Sequence, residues 1–72
     1  MNKMVEVFIT NVQSKKQVDQ LLSILLQKHP AFKINFDLDD CDRILRVEGR
    51  KIQPAKIIEL MNTHGYQCNI LV

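Results

Sequence analysis

The chain is poor in cysteine, in long apolar runs and in net charge. Its two cysteines, Cys41 and Cys68, are too few and too irregularly spaced for a disulfide framework. They read as unpaired thiols, one in a turn and one in a strand. No apolar run is long enough to cross a bilayer, and the longest, around Leu21 to Leu26, is broken by Ser23. The segment from Met1 to Thr10 alternates apolar with polar residues and carries Glu6, unlike a signal peptide. A cytoplasmic, reducing location is therefore expected, with no membrane partner. A net charge of +2 is too small to point to nucleic acid, which domains bind through concentrated positive charge. No nucleophile stands beside a base, and His29 and His64 are predicted at opposite ends of the fold, so no catalytic residue and no enzyme activity are expected.

With 72 residues, the chain has room for one domain with a single thin core, spanning 1–72. Residues Met4 to Val12 read as a strand, with Val5, Val7 and Ile9 on one face and Met4, Glu6, Phe8 and Thr10 on the other. A turn at 11–14 leads into a helix over Lys15 to Lys28. Its buried stripe is Val18, Leu21, Leu22 and Leu25, and Pro30 ends it. Phe32, Ile34, Phe36 and Leu38 alternate with Lys33, Asn35 and Asp37, which predicts a strand with one wet face. A polar turn at 39–42 joins it to a third strand, Arg43 to Glu48, with Leu45 and Val47 inward and a break at Gly49. Pro54 opens a second helix with Ile57, Ile58 and Met61 buried, and Gly65 suits a left-handed cap. Tyr66, Cys68, Ile70 and Val72 alternate as a last strand. The order βαββαβ predicts an α+β, ferredoxin-like fold. Its four-stranded antiparallel sheet has order 4-1-3-2 and carries two helices on one face.

In length, element order and the ending His64-Gly65-Tyr66, the chain resembles the heavy-metal-associated domains, the small copper and zinc chaperones and modules of metal pumps. That family carries Gly-Met-x-Cys-x-x-Cys between its first strand and first helix. The same place here reads Asn11-Val12-Gln13-Ser14-Lys15-Lys16-Gln17. Val12 matches the buried methionine in character, while Ser14 and Gln17 stand where the thiolates would be. Soft ions such as Cu(I) select thiolates, and zinc sites use Cys, His or carboxylate. A hydroxyl and an amide serve neither in the usual way. Ser14 and Gln17 instead form a capping box, with Gln17 expected to reach back to the Ser14 N–H. The resemblance thus implies the fold without its usual metal site, and no cofactor is expected.

Two functional readings follow. The first is a non-catalytic protein-interaction module. Its contact residues would be Ser14, Lys15, Lys16 and Gln17 at the helix start, where the two lysines can meet an acidic partner. Phe8 and Ile44 would join them on the uncovered sheet face, which is expected to hold Glu6, Phe8, Lys33, Asn35, Ile44, Arg46 and Asn69. Another protein or a second copy, giving a homodimer, would cover that apolar patch. RNA-recognition domains stack bases on the same face, but Phe8 is the one strong aromatic there and Glu6 beside it repels phosphate. The second reading is a metal carrier for Cu(I) or Zn(II), with a substitute site around Cys41, His64 and Cys68 at the end where the first, third and last loops meet. The aspartates at 37, 39, 40 and 42 lack the glycine and terminal glutamate of a calcium loop.

Overall fold

The computed structural model describes residues 3–71. The order is β1 (Met4–Thr10), α1 (Lys15–Lys28), β2 (Lys33–Asp37), β3 (Ile44–Gly49), α2 (Pro54–Thr63) and β4 (Cys68–Ile70). The strands form one antiparallel sheet ordered β2-β3-β1-β4, which is the expected order read from the other edge. β1 ends at Thr10, two residues before the sequence pattern suggests. Val72, expected in the last strand, lies outside the described residues.

The core joins sheet to helices. Phe8, Leu45, Val47 and Cys68 come from the strands, Leu21 and Leu25 from α1, and Ile57 and Met61 from α2. Val12 and Ile52 close it from the loops. Val18, Phe32, Ile34, Phe36, Leu38, Ile58, Leu60 and Tyr66 pack around this cluster, so the stripes of the two helices and of β2 and β3 point as their spacing predicts, with Leu22 of the expected α1 stripe half-buried outside it. Pro54 occupies the first turn of α2, where its missing N–H is no loss. Gly65 follows that helix at φ 89°, and the Tyr66 N–H closes back on the Met61 carbonyl at 2.9 Å.

One face assignment is overturned. In the β1–β3 register Phe8 lies opposite Leu45, and Glu6 opposite Val47. Directly opposed residues share a face. Phe8 and Glu6 therefore stand on the helix-covered side, and Phe8 is fully buried. The open face instead receives Val5, Val7 and Ile9 from β1, beside Ile44, Arg46 and Glu48 of β3. The sequence could not decide this, because both faces of β1 are mostly apolar and the single charge at Glu6 suggested the wrong one.

Gly49 does not break β3 but forms its last residue. A Cβ there would sit 2.5 Å from Cδ1 of Phe32. That ring is itself stacked on the His29 imidazole, with centroids 4.9 Å apart and planes 10° apart. The glycine lets the aromatic ring lie against the strand backbone. Gly49→Ala is expected to destabilise the fold by about 1–3 kcal/mol through overpacking, readable as a lower urea midpoint with an unchanged slope. Non-glycine residues with a left-handed backbone are Arg43 (φ 50°) and Lys51 (φ 56°), which flank β3 on either side.

Candidate functional site

The loop end of the fold is held together by side-chain to backbone bonds. Thr10, buried at the end of β1, donates its hydroxyl to the Arg43 carbonyl at 2.6 Å. The same oxygen accepts the Val12 N–H at 3.2 Å. The Thr10 N–H in turn reaches the carbonyls of Asp42 and Arg43, each at 3.2 Å. Asn11 Oδ1 accepts the Gln67 N–H at 2.9 Å. The first loop is thus tied to the β2–β3 hairpin on one side and to the loop leading into β4 on the other. The expected convergence of these loops at one end is present.

Within this frame α1 begins at a solvent-exposed cap. Ser14 Oγ accepts the Gln17 N–H at 3.2 Å. The reciprocal bond goes one residue further back than a standard capping box: Gln17 Oε1 accepts the N–H of Gln13, not of Ser14, at 2.8 Å. The Ser14 backbone is extended (φ −136°, ψ 156°), which turns its side chain over the helix end. The side-chain oxygens of Ser14 and Gln17 are therefore both engaged in organising the loop. Lys15 and Lys16 follow, both exposed, in a first turn that holds no acidic residue. Neither makes an ion pair among the described residues, where Lys3–Glu48 at 3.8 Å is the pair present. Cations at a helix start oppose the dipole, so these two lysines do not stabilise the helix locally.

The other two contact candidates are not available. Phe8 is in the core, as shown above. Ile44 is on the open face but only 4% exposed, so it offers almost no surface. The exposed apolar groups of the open face and its edge are Val5 (53%) and Leu71 (41%), with Leu71 bonded through its N–H to the Val7 carbonyl.

The substitute metal residues are placed apart in character. Cys41 is exposed in the hairpin turn, and His64 is exposed at the C-cap of α2. Cys68 is buried in β4, where burial pushes its thiol from 9.0 up to about 12. A thiol that far above neutrality is a poor source of thiolate. Among the described residues, the metal-ligating groups that approach within 4.8 Å of one another are those of Asp40, Cys41 and Asp42, neighbours in the turn. His64 and Cys68 are not members. Asp40 Oδ1 already accepts the Asp42 N–H at 2.9 Å, an ordinary feature of an aspartate turn.

A chain with so thin a core is not expected to form a pocket, yet a cleft of about 290 Å³ lies between the helices, lined by Lys28, His29, Lys56, Glu59, Leu60 and Thr63. Its residues come from the end of α1 and one side of α2, so no local pattern announces it. Within it the Thr63 hydroxyl donates to the Glu59 carbonyl at 2.8 Å. Comparison of the chain with protein-family models, curated proteins and solved structures gives no match.

Proposed function

We propose that this is a non-catalytic protein-binding module, built like a heavy-metal-associated domain whose thiolate loop has become a helix cap and docking edge. One observation carries the reading: Ser14 and Gln17 spend their side-chain oxygens on the N–H groups of Gln17 and Gln13. In that state they organise a surface and offer no ligand set for a soft ion. The exposed, unpaired Lys15 and Lys16 on that surface suit an acidic protein partner. The unpaired cysteines accord with a cytoplasmic setting.

The test has two arms. Reduced protein titrated with Cu(I) and Zn(II) is expected to take up neither tightly. Installing Ser14→Cys with Gln17→Cys should create stoichiometric Cu(I) uptake, because positions three apart share a face of the first turn and the Ser14 side chain already reaches the backbone N–H of Gln17. In the second arm, proteins retained from the source cell by the wild-type domain should be lost with Lys15→Glu/Lys16→Glu. Tight metal uptake by the unmodified chain that disappears in Cys41→Ser or His64→Ala would overturn the proposal in favour of a carrier. So would retention that ignores the lysine reversal, as regards the docking edge.

A further inference from the structure

Strand β2 is an outer edge of the sheet, five residues long against three in the opposite edge strand β4. Among the described residues, its backbone makes no hydrogen bond outside the β2–β3 ladder. Its sequence is Lys33-Ile34-Asn35-Phe36-Asp37. Lys33, Asn35 and Asp37 are exposed on the open face, while Ile34 and Phe36 are only half-buried against the core.

Read against itself in reverse, this segment is complementary at every position. An antiparallel copy centred on Asn35 sets Lys33 opposite Asp37, Ile34 opposite Phe36 and Asn35 opposite its own counterpart. Directly opposed residues of an antiparallel pair share a face, so each charge meets its opposite and each apolar residue meets another. The two ion pairs lie on the open face. The two Ile–Phe contacts lie on the helix side and complete the burial that the single chain leaves unfinished. Asp37 Oδ1 accepts the Asp39 N–H at 3.1 Å, which leaves its second oxygen for a lysine. Asn35 Oδ1 takes Arg46 Nη1 at 3.4 Å, which leaves the Asn35 amide N–H groups free to donate across the axis.

We propose that the β2 edge pairs with the β2 edge of a second copy about a two-fold axis at Asn35, joining two sheets into one of eight strands. This goes beyond the acidic partner proposed above and stands without it, since the lysines at the start of α1 take no part. An edge of this length also needs protection from indiscriminate pairing, and the two end charges would supply selectivity: they favour the antiparallel arrangement over an in-register parallel one, which would set Lys33 against Lys33 and Asp37 against Asp37.

The experiment is a charge exchange read by sedimentation. The unmodified chain should approach twice its 8.4 kDa mass as concentration rises toward about 1 mM. Lys33→Asp and Asp37→Lys alone should each lose the dimer, because each sets like charges opposite at both ends. Mixed one to one, the two variants should recover it as a heterodimer, since each then supplies what the other lacks. Amide exchange at residues 33–37 of the unmodified chain should slow with concentration, which keeps the test independent of either variant's folding. A chain that stays monomeric to about 1 mM, a dimer indifferent to the single reversals, or a mixture that does not recover would each overturn the inference.

Discussion

Phe8→Ala should bring this domain to the edge of unfolding. The ring is fully buried, lies opposite Leu45 on one neighbouring strand and Ile70 on the other, and belongs to the core cluster that joins both helices to the sheet. Removing a buried phenylalanine side chain costs about 3–5 kcal/mol in lost transfer free energy and residual cavity. At about 0.05–0.15 kcal/mol per residue, a domain of this length has a total stability of only about 4–11 kcal/mol. The substitution should therefore lower the thermal midpoint by well over 10 °C. Val5→Ala, from the opposite face of the same strand and 53% exposed, is the control, and should shift stability by no more than about 0.5 kcal/mol. Thermal and urea unfolding followed by circular dichroism decide the matter. Equal, small effects at both positions would mean that β1 presents its other face to the helices.

The second large effect is alkaline. Cys68 is 3% exposed, and its thiol ionises near 12 in the folded chain against 9.0 for the ordinary thiol. Below pH 9 the group is protonated in both states, so its contribution is fully present. Above pH 9 the unfolded chain releases this proton while the folded chain keeps it, and stability falls by about 1.4 kcal/mol per pH unit until the folded thiol also ionises near 12. The quantity to measure is the difference between wild type and Cys68→Ala, which isolates this one thiol. The variant should start less stable and lose less between pH 9 and 11. Parallel slopes would show that the thiol is not held protonated by burial. At neutral pH the same burial predicts that a thiol reagent labels Cys41 alone, with Cys68 reacting only on unfolding.

These two residues also mark where reading the chain without coordinates succeeds and where it stops. Helix α1 runs over Lys15–Lys28 as its pattern requires, because a side-chain cap at Ser14 and the stop at Pro30 are local signals. The sheet order follows from the element order and the handedness of its crossovers. The orientation of β1 does not follow, since Met4 and Phe8 against Val5, Val7 and Ile9 leave both faces apolar and only cross-strand register chooses between them. Gly49 was open to the same ambiguity: a missing side chain can end a strand or admit a neighbour, and only the position of Phe32 tells which. At the helix start, the type of bond was readable but its partner was not, because reaching Gln13 in place of Ser14 depends on the path of the loop. The cleft beside His29 draws on two helices at once and leaves no trace in either alone.

The left-handed residues on either side of β3 carry a consequence for how the sheet finds its alignment. β3 is the one strand that pairs with both β1 and β2, so its register determines theirs. A slip by one residue would turn Leu45 and Val47 outward and Arg46 inward. It would also ask neighbours of Arg43 and Lys51 to adopt positive φ, and two of those neighbours, Ile44 and Ile52, are β-branched. Such residues are strongly disfavoured there. The two bends thus act as stops at both ends of the central strand, and misaligned pairings are penalised in the backbone before any side chain has packed.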